Sequence, residues 1–266
     1  MYDSYKRHIS YLRVSVTDRC NLACAYCMPE QVVFSPDRNA ILGFEEITRI
    51  VRELVPLGIT KIRLTGGEPL VRKGVDELVG MISVIPGIRE IVMTTNGQLL
   101  ERMAAPLFSA GLQRVNISLD TLDRDRYREL TRGGDLRRVL KGIDAAVKAG
   151  LNPVKINCVM TPDTTETELA NLKDFCRSKE LPLRFIRQMN LGTGKFWRVE
   201  GGEGGHCRIC NRMRLTADGR FVPCLFSEKE YSIREYGILG AFTRAVEEKP
   251  ERGLVNSRST FYGIGG

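Results

Sequence analysis

Residues 11–27 read YLRVSVTDRCNLACAYC, an apolar, β-branched run from Tyr11 to Val16 that leads into Cys20, Cys24 and Cys27. A short run of this kind bounded by polar residues reads as a strand. The three thiols stand at spacing C-x3-C-x2-C within eight residues. Three thiolates can ligate an iron–sulfur cluster, and a four-iron cluster normally takes four cysteines, one per iron. Three therefore leave one iron open to bind a small molecule, as catalytic zinc sites keep a position open. Chemistry placed directly after a strand is the habit of parallel α/β sheets, whose ligands sit at the carboxyl ends of strands.

Working outward, the first two-thirds of the chain alternates such runs with longer helical patterns. Strands are expected at Tyr11–Val16, Lys61–Thr65, Glu90–Thr94, Arg114–Ser118, Val154–Met160 and Arg184–Arg187. Helices are expected at Phe44–Leu57, Val75–Ile85, Leu99–Ala110, Leu136–Ala149 and Glu166–Ser178, with Gly58, Gly111 and Gly150 as stop signals. Strand then helix, repeated six times, predicts parallel strands joined by right-handed crossovers. Six units fall short of the eight that close a full barrel. The fold class is thus α/β, a partial (β/α)6 barrel over residues 1–189 with a short C-terminal extension over 190–266. Gly66-Gly67-Glu68-Pro69 and Thr94-Thr95-Asn96-Gly97 each follow a strand, as the first cysteine trio does. That agreement gathers one site on one rim.

Beyond Met189 the pattern breaks. Asn190–Gly205 is glycine-rich and reads as loop, Arg214–Leu225 as a hairpin turning at Asp218-Gly219, and Ile238–Glu248 as a last helix. A second thiol trio, Cys207, Cys210 and Cys224, lies in this part. Zinc would need a fourth ligand there, and His206, adjacent to Cys207, is poorly placed to share its metal. Arg212 and Arg214 stand two apart in extended chain, so both guanidiniums can face one anion. Gly192-Thr193-Gly194-Lys195 resembles a phosphate loop only faintly, since Phe196 stands where a magnesium-holding Ser or Thr belongs. Cys158 and Cys176 read as buried apolar residues; Trp197 and His8 read as structural.

The chain of 266 residues carries a net charge of +8 and eight cysteines. No window approaches the ~18 consecutive apolar residues of a membrane span, and the N-terminus lacks the apolar region of a secretory signal. The cytoplasm is the expected compartment, where cysteines act as metal ligands before they pair. The basic residues are scattered, without runs or stacking aromatics, which argues against nucleic acid. Arginines converging on an anionic small molecule fit better.

Taken together, Ser15–Leu22 leading into the first trio, Arg63–Leu70, Thr94–Gly97, Asn116–Asp120, Cys207–Thr216 and the closing Gly265-Gly266 resemble the radical S-adenosylmethionine (SAM) superfamily, and within it the GTP 3′,8-cyclase family that begins molybdenum-cofactor biosynthesis. The resemblance implies two [4Fe-4S] clusters, one held by Cys20, Cys24 and Cys27 with SAM chelated at its open iron. The other would be held by Cys207, Cys210 and Cys224 and face the purine. It further implies SAM contacts from Tyr26, Gly66, Gly67, Glu68, Thr94, Thr95, Ser118 and Asn157. Arg13, Lys61, Arg63, Lys155, Arg184, Arg212 and Arg214 would be substrate and phosphate contacts. A 5′-deoxyadenosyl radical would abstract the ribose 3′ hydrogen of GTP, and the carbon radical would add to guanine C8. Implied partners are an electron donor such as flavodoxin or ferredoxin, and the next pathway enzyme, cyclic pyranopterin monophosphate synthase; a homodimer is compatible. One departure is length, for Asn190–His206 is shorter than its counterpart in the family. Two other readings use the same cysteines: a radical enzyme acting on a peptide or another metabolite, and a non-catalytic zinc protein.

Overall fold

The computed structural model describes residues 1–28 and 41–257. The Gly265-Gly266 match lies outside these residues. Six strands alternate with helices: β1 (Tyr11–Ser15), α1 (Phe44–Leu54), β2 (Lys61–Thr65), α2 (Val75–Ser83), β3 (Glu90–Thr95), α3 (Leu100–Ser109), β4 (Arg114–Ser118), α4 (Arg124–Thr131), α5 (Leu136–Lys148), β5 (Val154–Met160), α6 (Glu166–Ser178) and β6 (Leu183–Arg187). After a long irregular stretch come β7 (Arg212–Leu215), β8 (Arg220–Val222), β9 (Tyr231–Ser232) and α7 (Ile233–Glu247).

All nine strands form one sheet in the order β6-β5-β4-β3-β2-β1-β7-β8-β9. Pairing is parallel from β6 across to β7. It is antiparallel from β7 to β9. β6 and β9 are the two edges, so the sheet is open, as a partial barrel requires. β1 lies deep inside it, and Leu12, Val14 and Val16 have no exposed surface. Full burial of such side chains stabilises by about 1.5–3 kcal/mol each.

The strand and helix expectations hold to within a few residues at each end, with four differences. The strand–helix repeat does not run six times: β6 is followed by irregular chain with bridges at Phe185–Glu200 and Asn190–Lys195, and then one 3-10 turn, Cys207–Ile209. Its glycines and polar residues supply no apolar stripe for a sixth helix. Secondly, α4 is an addition. Its sequence, RDRYRELT, buries only Tyr127 and Thr131, too little periodicity to read, and Asp123 caps it by accepting from the Arg126 amide at 2.7 Å. Thirdly, α7 begins five residues earlier than expected, at Ile233, because Ser232 caps a first turn before Gly237 (φ 66°) interrupts the helix. Finally, the expected hairpin forms, turning at Gly219 with φ 87°, but its first strand also pairs in parallel with β1. No local pattern announced that pairing.

Candidate active site

Side chains at every second strand position point to the concave face, and register aligns them into rows. One row reads Arg212–Tyr11–Lys61–Glu90. The next reads Arg214–Arg13–Arg63–Val92–Arg114. Further toward the strand carboxyl ends come Thr94–Asn116–Lys155 and Ser118–Asn157–Arg184. These rows enclose a cavity of about 430 Å³ whose wall includes both cysteine trios. Of the residues expected to hold clusters, SAM or substrate, all but Lys155 line it. Lys155 stands close enough to feel the charges of Arg184, Arg114, Lys61 and Arg63, and burial together with those cations lowers its pKa.

The first trio sits on the loop after β1, with Cys27 and Met28 amides closing a turn onto the Cys24 carbonyl at 2.9 Å. The Gly66-Gly67 peptide holds this loop in place. Gly67 donates to the Thr17 carbonyl at 2.9 Å and Glu68 to the Arg19 carbonyl at 2.8 Å. A Cβ on Gly67 would stand 2.4 Å from the Arg19 oxygen, and one on Gly66 2.5 Å from that of Thr17. The structure gives these glycines a steric reason, the docking of the cysteine loop itself.

Glu68 is 1% exposed. Its Oε1 accepts from the Leu70 amide at 3.0 Å and from Thr95 Oγ1 at 2.6 Å, and its Oε2 accepts from the Asn96 amide at 2.7 Å. It thus braces the Gly-Gly loop against the Thr-Thr-Asn-Gly loop, while burial pushes its pKa up to about 7. Tyr26 donates to Asp120 Oδ2 at 2.7 Å, and the Val159 amide donates to Asp120 Oδ1 at 2.7 Å. Burial, and then Asp120, raise Cys24 to about 12; burial and Cys20 do the same for Cys27.

The second trio lives in the opposite electrostatic environment. Burial works against ionisation of Cys210, yet Lys249 and Arg212 outweigh it and bring the thiol down to about 6. Lys249 is 3% exposed. Its Nζ donates to the carbonyl of Arg212 at 2.8 Å and to that of Pro223 at 2.6 Å. Arg7, paired with Asp3 at 2.5 Å, donates to the Cys207 carbonyl at 2.8 Å and to those of Glu251 and Pro250 at 2.9 and 2.7 Å. Both cysteine-bearing segments are thereby fastened to residues 249–251.

Between the trios lies a floor of cations. Arg13 is driven well below its ordinary pKa by burial and by Arg214, and Arg214 to about 10 by burial and Arg212. Arg63 donates to the Tyr11 hydroxyl and to Thr94 Oγ1 at 2.7 Å. Arg184 is lowered by burial and by Arg63. Glu90 is the carboxylate of the rows, paired with Lys61 at 2.5 Å and with Arg114. So many like charges at close quarters call for a polyanion. The Oδ1 atoms of Asn116 and Asn157 are buried without a hydrogen-bond partner among the described residues, and both residues line the cavity. Orphaned acceptors of this kind fit a wall built for a polar ligand.

Arg114, Asn116, Asp120 and Lys249 were missed as site residues. Arg114 and Asn116 share the alternation that ends at Ser118, and that signal was readable. Lys249 carried none, because its partners are remote in sequence. Among the described residues no three His, Cys, Asp or Glu side chains close on a single metal ion; a four-iron cluster, with one thiolate per iron, asks for a wider spacing. Thiol-only donor sets suit iron–sulfur clusters. Cys158 and Cys176 are buried as expected, whereas Trp197 is 42% exposed and edges a second hollow of about 570 Å³ beside Met189.

The family model for the radical SAM superfamily matches residues 14–176. A GTP 3′,8-cyclase of Petrotoga mobilis is 42% identical over 301 aligned positions, covering 96% of this chain and 93% of that protein. A GTP 3′,8-cyclase of Pseudomonas putida strain GB-1 is 40% identical over 299 positions, covering 95% and 87%. These alignments are longer than the 266-residue chain, so the relatives carry segments with no counterpart here. Among solved structures, Streptococcus suis SuiB bound to S-adenosylmethionine superposes with a TM-score of 0.67 at 18% identity, over 86% of this chain and 64% of that one. The native anSMEcpe structure with bound AdoMet gives 0.55 at 18%, over 75% and 57%. This chain spans less than two thirds of either structure, and at such identities they speak for the fold alone.

Proposed function

The chain belongs to the radical SAM superfamily and, within it, to the GTP 3′,8-cyclase family, and from that premise we propose that it converts GTP to 3′,8-cyclo-7,8-dihydro-GTP, the first step of molybdenum-cofactor biosynthesis. The observation that carries this reading is the single cavity, with one thiol trio at each end and a floor of arginines and lysines between them. Cys20, Cys24 and Cys27 would hold one [4Fe-4S] cluster and Cys207, Cys210 and Cys224 the other. With SAM bound, the first cluster would pass on one electron from the reductant, and cleavage of SAM would release methionine and the 5′-deoxyadenosyl radical that takes the ribose 3′ hydrogen.

Every other task falls to the protein's own side chains. Tyr26, Gly66, Gly67, Glu68, Thr94, Thr95, Ser118 and Asn157 form the SAM wall. Glu68 offers its carboxylate toward the amino group while its bonds to the Thr95 hydroxyl and the Asn96 amide fix its orientation. Arg13, Lys61, Arg63, Arg184, Arg212 and Arg214 bind the substrate, Lys155 acts from outside the cavity wall through its charge, and the triphosphate relieves the repulsion that adds to burial in depressing Arg13 and Arg214. No helix among the described residues is long and apolar enough to cross a membrane; a cytoplasmic site, a flavodoxin or ferredoxin as reductant and delivery of product to cyclic pyranopterin monophosphate synthase complete the reading.

The test is anaerobic reconstitution with iron and sulfide, then incubation with SAM, reductant and GTP, with products read by mass spectrometry. The expected result is a GTP isomer together with 5′-deoxyadenosine. Deoxyadenosine with GTP unchanged would move the search to another substrate of the same radical chemistry. Arg212→Ala and Arg214→Ala are each expected to weaken GTP binding at least tenfold; unweakened binding in both would remove them from the substrate site.

A further inference from the structure

The second trio comes from the two ends of the β7–β8 hairpin, and two buried cations tie both ends to residues 249–251. Lys249 bonds the Arg212 carbonyl, two residues after Cys210, and the Pro223 carbonyl, one residue before Cys224. A buried ammonium must give its protons to acceptors, and here two of the three go to these carbonyls. Arg7 makes the matching tie from Cys207 to residues 250 and 251. The pair is asymmetric in one respect. Arg7 has its own carboxylate in Asp3, whereas among the described residues no carboxylate bonds Lys249, which stands where its charge acts on Cys210 and Cys224. Burial lowers the Lys249 pKa, and the thiols of Cys210 and Cys224, when ionised, oppose that.

Resting on the assignment of Cys207, Cys210 and Cys224 as ligands of the second cluster, we infer that Lys249 is a positioning residue for that cluster, which clamps the two ligand-bearing segments together and holds the midpoint potential of the cluster up by its fixed charge. Reduction adds negative charge to a cluster, so a nearby buried cation stabilises the reduced form. The first trio has the reverse surroundings, with Asp120 and Glu68 nearby, and serves as an internal reference.

The experiment compares wild-type holoenzyme with Lys249→Gln and Lys249→Met. Iron and sulfide are counted, and each cluster's midpoint potential is followed by electron paramagnetic resonance during a dithionite titration. Glutamine keeps a donor for the carbonyls but no charge; methionine keeps neither. Lys249→Gln is expected to retain both clusters with the second potential lowered and the first unmoved. Lys249→Met is expected to lose up to half its iron, from the second site. Lys229→Gln, at an exposed lysine paired with Glu248, should change nothing. If Lys249→Gln holds two clusters at unaltered potentials, the electrostatic role is wrong whether or not the methionine variant folds. Full iron in a folded Lys249→Met would remove the clamping role. A wild-type protein that accepts only one cluster would instead overturn the ligand assignment, and this inference with it.

Discussion

Glu90 shows how a single side chain can be read through its proton. It ends the row that contains Tyr11 and Lys61, and it bonds both Lys61 and Arg114. Burial alone would raise its pKa, but the two hydrogen-bonded cations outweigh that and hold it at about 2, against an ordinary value of 4.5. A carboxylate whose folded pKa is depressed stabilises the fold above its unfolded pKa and stops doing so as pH falls through the folded one. Glu90→Gln is therefore expected to cost roughly 1–2 kcal/mol at pH 7, after allowance for solvent screening of a partly exposed pair. The deficit should shrink between pH 4.5 and about 2, read from urea midpoints of variant and wild type. A deficit that does not change with pH would point to lost packing and not to the charge.

Elements were legible where they carry their own signal. Lys61–Thr65 and Glu166–Ser178 match residue for residue, because a β-branched run and a Thr165/Glu168 capping box are local facts. α4 and the parallel pairing of β7 with β1 were not legible: the former is short and polar, and the latter is settled by a partner roughly two hundred residues away. The site divides in the same way. The cysteine loops and the Gly-Gly-Glu-Pro turn announced themselves, while Asp120 beneath Tyr26 and Lys249 beneath the second trio act through contacts that no spacing encodes. Packing of α3 on α5 gives a test at this scale. On α5, Gly142 lies so close to the start of α3 that a Cβ would meet the Gly97 oxygen at 2.6 Å and Leu100 Cβ at 3.1 Å. Helix propensity favours Gly142→Ala by about 1 kcal/mol, whereas overpacking costs about 1–3 kcal/mol. Net destabilisation is expected, seen as a lower thermal midpoint; a raised midpoint would mean that α3 and α5 move apart at little cost.

At the scale of the molecule, the excess positive charge is organised inward. Arg13, Arg63, Arg114 and Arg214 occupy one row across the concave face, so the folded protein holds a repulsion that a polyanion relieves. GTP at one hundred times its dissociation constant should stabilise the cluster-free protein by about 2.7 kcal/mol. That corresponds to a rise of several degrees in thermal midpoint, smaller with GMP and reduced by salt. Equal shifts with GMP and GTP would show that the phosphate chain does not reach this row.

The two thiol trios differ in how much chain each needs. Cys20, Cys24 and Cys27 sit on one loop of eight residues, while the other three are drawn together by Arg7 and Lys249. On a ribosome, the first group has left the exit tunnel long before the second has been translated. On the proposed assignment, the first set of ligands can thus meet iron on a nascent chain, whereas the ties that residues 249–251 make to the second form only once that segment has been synthesised. Synthesis itself thus sets an order, in which the first trio is available well before the second.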